Sequence, residues 1–475
     1  MSSEPDVKSR LTEGDLLGPM VALAWPMVVI QLLQVAYNVA DTAFLGAYSA
    51  DAVAALSLAF PIVFLMISIG GGFTAAGAIL VAQYSGAGAD RDADRIAGQT
   101  LVFVTIVAVA VGALGYLITD PVLALLPADA ATQERIVPLA SDYLRIYLLG
   151  TPFLFGFFVF VSLMRGYGDT RTPMRVMFVS VAVNVALDPL LIFGIGPFPA
   201  LDVRGAALAT IFSRLVATLI GLYVLFGTDA GPDIRRSDLV LNRADVSDIV
   251  RLGVPSTIEQ SASSLAFIAL TAMVVTFSPA IVAAYGLGNR IVSLVFLPAM
   301  GLSQAVDTVV GKNLGAERPD RAERGSRLAM GVTAGVMALL TGVVYLAPAP
   351  IAGVFLTAEG TGNALAYSVE YLQVAAFMFV PMGVLQILLG TFRGAGNTKT
   401  AMLFSVATLW FVRVPATYVL AFTLGWAEDG IWLAVVLGDV VGCLLALAWY
   451  SRGTWTEKYV DETAVADGGG PAADE

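Results

Sequence analysis

Twelve long apolar runs, parted by short polar connectors, follow one another at about 16–47, 52–83, 96–119, 136–163, 173–195, 204–227, 247–276, 280–311, 326–347, 365–391, 400–424 and 430–450. Each reaches the roughly 20 residues that an α-helix needs to cross a bilayer, so the pattern predicts twelve spanning helices. Runs of this length lack the two-residue alternation of a barrel strand, and a chain in lipid must satisfy its backbone within helices or a closed barrel. The predicted fold class is therefore an all-α polytopic membrane protein. The first run follows Lys8 and Arg10, but it is far too long for the apolar core of a signal peptide and reads as the first span.

The longest polar connector, 228–246, divides the runs six and six and carries Gly231, Pro232 and mixed charge, the signature of a linker between lobes. The expected organisation is a short segment at 1–15, an N-lobe at 16–227, the linker, a C-lobe at 247–453 and an acidic tail at 454–475. The tail has Gly, Pro and acid without apolar period and is expected to be disordered. Sliding the second half over the first by 229 residues pairs Pro26 with Pro255, Gln31 with Gln260, Gly86 with Gly315 and Arg95 with Arg324. After a slip of one residue, RGYGDTRT at 165–172 falls on RGAGNTKT at 393–400. The halves are repeats. Because six is even, both begin on the same side of the membrane, which predicts two parallel six-helix lobes around a central cleft.

Composition sharpens this picture. Of 475 residues 57% are apolar and only 13% charged, against about 25% charged in soluble domains, which leaves no room for a sizeable soluble enzyme. The net charge of −11 excludes nucleic acid as a partner. The 25 Asp and 22 Arg against 4 Lys suggest an acidic surface suited to a high-salt, halophilic setting. With one cysteine and no histidine, neither a disulfide framework nor an imidazole proton shuttle can be built. Of the 26 Lys and Arg, 20 fall on one set of connectors and two on the other. The positive-inside rule then places both termini in the cytoplasm and the chain in the cell membrane.

Ionisable side chains at membrane depth are candidates for function. On the first span Tyr37 and Asp41 share a face, with Asn38 beside them and Gln34 one turn earlier; on the fifth, Asn184 and Asp188 are four apart. If these faces meet, Asp41, Asn184 and Asp188, joined by Thr210 from the sixth span, form an oxygen-rich site. Two carboxylates in low dielectric call for a proton or a cation. Such a site suits Na+ or H+, and no other cofactor is expected. The repeat supplies a control: the second-lobe counterparts of Asp41, Asn184, Asp188 and Thr210 are Leu270, Val412, Ala416 and Gly438. Residues needed only to hold a six-helix bundle together should recur in both lobes. Glu259 and Asp307 form a possible second coupling site, with pairing of Asp307 to a membrane arginine such as Arg290 as the alternative; Asp439 and Arg413 read as a structural ion pair. Pro26 and Pro255 stand inside spans and are candidate hinges. Tyr37, Asn38 and Gln34 could line a substrate cleft, and the twin loops read as a hinge or inter-helix clamp.

Twelve spans in two repeats, Pro26 and Asp41 on the first span, Asn184 with Asp188 on the fifth and the twin RGxG(D/N)T(R/K)T loops resemble the multidrug and toxic compound extrusion family, over about 16–453. The likeness looks closest to its archaeal and DinF-like branch. The resemblance implies antiport, in which an inward sodium or proton gradient drives export of cationic lipophilic compounds as two lobes rock. It also implies that Asp41, Asn184, Asp188 and Thr210 form the first-lobe cation site and that Pro26 is where the first span bends. The implied partners are small cationic molecules and the lipid bilayer, with a monomer as the working unit. The alternatives are a flippase for lipid-linked sugars, which would want a basic cleft, and an intramembrane enzyme, which would need an acidic metal motif that the sequence lacks.

Overall fold

The computed structural model describes residues 11–12, 14–124, 130–355 and 363–456. Lys8, Arg10, Lys458 and most of the tail expected to be disordered lie outside them. Among the described residues every regular element is helical. The N-lobe holds α1 (Leu17–Tyr48), α2 (Ala50–Gly86), α3 (Asp90–Ala124), α4 (Ala130–Leu149), α5 (Thr151–Tyr167), α6 (Arg171–Phe193) and α7 (Val203–Gly227). The C-lobe holds α8 (Arg243–Val274), α9 (Pro279–Gly315), α10 (Pro319–Leu346), α11 (Ala364–Gly394), α12 (Thr398–Thr423) and α13 (Ala427–Tyr450). Eleven of these are long and apolar enough to cross a membrane alone; α4 and α5, bent by 52° across Gly150, together make the twelfth. The bend follows from Pro152, which has no N–H to continue the hydrogen-bond ladder from α4.

The lobes meet as the repeat requires. Helix α1 packs on α9, α2 packs on α8, and α2 crosses α9 between them. At the end of the molecule nearest the described ends of the chain the crossing is reciprocal: a side chain on Gly86 would collide with the carbonyl of Lys312, and one on Gly315 with the carbonyl of Gln83. Only glycine lets two backbones approach so closely. The same repeat-related residues also tie the lobes together. Gln83 Nε2 donates to the Gly394 carbonyl at 3.0 Å, and Lys312 Nζ donates to the Tyr167 carbonyl at 2.6 Å. The helices outrun their apolar runs here because these last turns are buried against the other lobe.

The twin loops share one turn, and the first of them clamps a neighbouring helix. Gly168 and Gly396 take φ of 100° and 82°, a left-handed turn that ends α5 and α11. Asp169 Oδ1 then accepts the backbone N–H groups of Arg171 and Thr172, starting α6. Thr170 Oγ1 donates to the Leu23 carbonyl at 3.0 Å, so the loop grips α1 one turn before Pro26. Helix α1 remains continuous through Pro26, and α8 through Pro255.

Among the described residues the N-lobe has one continuous apolar core, whereas the C-lobe has two. One of the C-lobe's cores takes in Leu11, Leu16, Met20 and Leu23, so these first described residues are buried among C-lobe residues.

The linker is pinned to α3. Gln99 Nε2 donates to the carbonyls of Asp238 and Val240, both at 2.7 Å, and its Oε1 accepts the Asn242 N–H. Arg91 Nη1 donates to Asp238 at 2.8 Å, and the Arg235 N–H to the same carboxylate at 2.7 Å. Burial pushes the Asp238 carboxyl up, but these donors outweigh it and hold it below the usual carboxylate value. A depressed folded value contributes stability above the unfolded value of about 4, lost as pH falls through the folded one. Protection of the 235–242 amides against hydrogen exchange, taken relative to the unstructured rate at each pH, should therefore be high at neutral pH, fall below about pH 4, and be low already at neutral pH in Asp238→Asn.

Candidate functional site

Helix α6 packs against both α1 and α7, and this brings the four sequence-predicted residues together. Asp41 on α1 lies beside Asp188 and Asn184 on α6 and Thr210 on α7. All four are buried, Asn184 and Asp188 at 0% exposure. Within this cluster Asn184 Nδ2 donates to Asp188 Oδ1 at 3.3 Å. Asp41 Oδ1, Asn184 Oδ1, Asp188 Oδ2 and Thr210 Oγ1 are each buried without a hydrogen-bond partner among the described residues, as is the Tyr37 hydroxyl. Buried polar atoms are nearly always satisfied, so five orphaned oxygens from three helices in one place require an explanation. Four acceptor oxygens, two of them from carboxylates, fit a proton or a hard monovalent cation.

Two further residues join the site: Arg214, a membrane-depth arginine to which the sequence assigned no place here, and Tyr143, which the sequence reading missed. Arg214, one helical turn beyond Thr210 and 2% exposed, lies with its guanidinium 5.0 Å from the Tyr37 ring centroid and donates to Gln34 Oε1 at 2.7 Å. Gln34 in turn donates to Asn38 at 3.2 Å. The expected cleft residues thus form a relay from half-buried Asn38 to Arg214, while Tyr37 is buried as a shelf beneath the guanidinium. Arg214 supplies one positive charge near two carboxylates, which leaves one carboxylate without a countercharge at the site among the described residues. The second partner is Tyr143 on α4, close to Asp41, Asp188 and Tyr37 and stacked on Tyr147 at 5.9 Å. The four-residue spacings Thr210/Arg214 and Tyr143/Tyr147 were the available signals.

Glu259 and Asp307 also converge, but around an internal cation. Arg393, the first residue of the second twin motif, donates to Glu259 Oε1 at 2.6 Å and to Ser303 Oγ at 3.1 Å, with its Nε 3.6 Å from Asp307 Oδ2. The arginine that meets Asp307 is therefore Arg393 and not Arg290. Arg165, the matching residue of the first motif, reaches across the lobe boundary, faces Asp307 and donates to Gln304 at 3.1 Å. Two arginines and two acids balance here. Asp439 and Arg413 form the anticipated ion pair.

Two stretches, residues 26–190 and 255–419, each match the MatE family model. They begin on the paired prolines and are separated by the 229 residues of the internal repeat. The chain belongs to the MATE family. Among its relatives, the probable multidrug resistance protein YoeA of Bacillus subtilis (strain 168) is 29% identical over 465 residues, 97% of this chain and 98% of that protein. The probable multidrug resistance protein NorM of Thermotoga maritima is 28% identical over 462 residues, 93% of each chain. An FAD transporter of Shewanella oneidensis is 27% identical over 431 residues, 91% of this chain and 93% of that one. A solved MOP superfamily transporter from Pyrococcus furiosus superposes with a TM-score of 0.88 at 24% identity, covering 96% of this chain and 99% of that one. An outward-facing multidrug resistance MATE transporter gives 0.88 at 24% identity, covering 96% and 100%; both likenesses show the MATE fold. The chain is thus a multi-pass membrane transporter with the two-lobed MATE architecture.

In this MATE protein the site formed by Asp41, Asn184, Asp188 and Thr210 is not repeated in the C-lobe. The C-lobe counterparts of its four oxygen-bearing residues are apolar or glycine, and the C-lobe's own carboxylates at 259 and 307 are met by Arg393.

Proposed function

We propose that the protein is a secondary active exporter in which a proton or sodium ion, taken up at Asp41, Asn184, Asp188 and Thr210, drives cationic lipophilic compounds out of the cell. The observation that carries this reading is the convergence of four unpaired, buried acceptor oxygens, one from each of these residues. Two carboxylates this close cannot both stay charged cheaply without a proton or cation between them. Their occupancy therefore changes the charge on α1 and α6 together, and the Thr170 clamp beside Pro26 links that change to the lobe contacts. The names of the relatives, multidrug resistance proteins in several bacteria, favour export of drugs over flipping of lipid-linked sugars.

In this reading both termini are cytoplasmic, as the placement of 20 of the 26 Lys and Arg implies. The cross-lobe contacts at Gln83, Lys312, Gly86 and Gly315 then close the cytoplasmic side. That is an outward-open arrangement of a rocking-lobe cycle, with Pro26 and Pro255 as hinges and Gln34 and Asn38 at the approach to the site. The single-lobe site agrees with the archaeal branch of the family.

The test uses proteoliposomes loaded with ethidium and given either an inward proton gradient or an inward sodium gradient. Efflux accelerated by one gradient is the expected result. Efflux at the rate of empty liposomes under both gradients would overturn the proposal.

A further inference from the structure

Helices α1 and α6 leave between them a groove of about 320 Å³ lined by Trp25, Val29, Met174, Arg175 and Phe178. Unlike the N-lobe site on the same two helices, it is open to the outside: Trp25 is 42% and Phe178 64% exposed. On α1 the exposed apolar residues Trp25, Leu32 and Val39 recur every seven positions, as do Phe178 and Val185 on α6. Seven residues make about two turns, so each set runs as a row along one side of its helix. In a spanning helix such a row faces the hydrocarbon of the bilayer.

The depth of the groove follows from helix length. Helix α1 has 32 residues; about 20 of them cross the hydrocarbon, and a centred helix leaves about six beyond it at each end. Trp25 then stands at the edge of the apolar layer, where membrane tryptophans concentrate. The bond from Thr170 to the Leu23 carbonyl sets the start of α6 level with this part of α1, so Arg171 and Arg175, on the first two turns of α6, lie at the same edge. Both arginines are exposed, and neither has an ion-pair partner among the described residues. Asp169, the nearest acid in sequence, offsets Arg171 in part and is committed to the turn, where it accepts the N–H groups of Arg171 and Thr172 and the Thr172 hydroxyl. Arg175 is left as a free cation on the rim of an apolar groove.

The repeat control applies again. The C-lobe has the corresponding helix pair, α8 packed on α12, with Val254, Ile258, Met402, Leu403 and Val406 at the five lining positions. The aliphatic place and the methionine are kept, whereas the two rings and the arginine are not. Packing two such helices together therefore needs neither a tryptophan nor a charge.

We propose that this groove is a binding site for one anionic phospholipid, with its phosphate at Arg175 and an acyl chain along Trp25, Val29 and Phe178. A long arginine stem packs on apolar surface while its charge stays at headgroup level, which is the division of labour that a lipid requires. A headgroup with net negative charge supplies the countercharge that Arg175 lacks, and a zwitterionic one does not. The face concerned is the one that the Lys and Arg distribution assigns to the cytoplasm, where anionic lipids are enriched. Trp25 directly precedes Pro26, so the bound lipid braces α1 against α6 at the candidate hinge.

The test measures quenching of Trp25 fluorescence in the full-length protein in phosphatidylcholine nanodiscs, as phosphatidylglycerol or phosphatidylcholine with brominated acyl chains is added in increasing mole fraction. The chain has six tryptophans, so the Trp25 signal is taken as the difference between the wild type and Trp25→Phe, which keeps a ring in the groove. Half-maximal quenching is expected at a mole fraction at least fivefold lower for phosphatidylglycerol, because one arginine beside anionic lipid contributes about a fivefold preference. Arg175→Leu, which installs the residue that the C-lobe carries there, should remove most of that preference, and Arg175→Lys should keep most of it. Equal quenching by the two lipids would mean that any lipid fills the groove; no quenching by either would mean that a second copy of the chain or another molecule covers it. Either result, or a preference unchanged in Arg175→Leu, would overturn the proposal. No ion gradient or drug is involved, so failure here leaves the exporter proposal standing, and failure of gradient-driven efflux leaves this result interpretable.

Discussion

Replacing Asp41 by Asn is expected to collapse the ethidium gradient that the protein sustains while leaving its folding intact. Asparagine keeps the size of the side chain and one acceptor oxygen, so the packing of α1 on α6 survives. What it removes is the ability to be charged. With a neutral residue at position 41, Arg214 already balances Asp188, and nothing at the site changes its affinity for a proton or cation between the two orientations of the lobes. A gradient can drive a conformational cycle only through such differential affinity. One coupled charge crossing 100 mV is worth about 2.3 kcal/mol, so its loss should lower the attainable substrate gradient roughly 50-fold at that potential. The steady-state ratio of ethidium across proteoliposomes reads this directly. Asp188→Asn should act in the same direction, since either carboxylate alone is balanced by Arg214.

Replacing Arg393 by Met is expected to have the largest effect on stability. Its guanidinium is the one group that touches both Glu259 and Asp307, and Arg165 can compensate only one of the two. Breaking a buried ion pair from one side leaves an uncompensated charge and costs about 3–5 kcal/mol. Neutralising all three residues in Glu259→Gln, Asp307→Asn, Arg393→Met should recover most of that loss, because no buried charge is then left without a partner. Thermal unfolding of the two variants beside the wild type checks this. If sodium alone restored the stability of Arg393→Met, the two carboxylates would form a cation site in their own right.

Much of this architecture is legible in the order of residues. Spans are visible because lipid admits little else than apolar helices, and the repeat because RGYGDTRT and RGAGNTKT share a turn that needs glycine at 168 and 396. The N-lobe site is legible for a related reason: four-residue spacing fixes a helix face, and a carboxylate in an apolar run is too costly to be incidental. The partner of Asp307 was not legible. Arg393 stands at the end of an apolar run next to a charged turn, a place that sequence alone assigns to water, and only the crossing of α9 with α11 shows that the residue is interior. The same holds for Gln83 and Lys312, whose role is set by contacts between lobes some 140 to 310 residues apart in sequence.

The central claim is that the coupling ion passes through the site formed by Asp41 and Asp188, and it is tested most directly by following both fluxes at once. Proteoliposomes loaded with ethidium would contain a pH-sensitive dye in one arm and be supplied with external radioactive sodium in the other. The account predicts that ethidium leaving the wild-type vesicles brings in either protons or sodium, and that Asp41→Asn stops both fluxes together. Ethidium efflux from wild-type vesicles without uptake of either ion, or exchange that persists in Asp41→Asn, would contradict it.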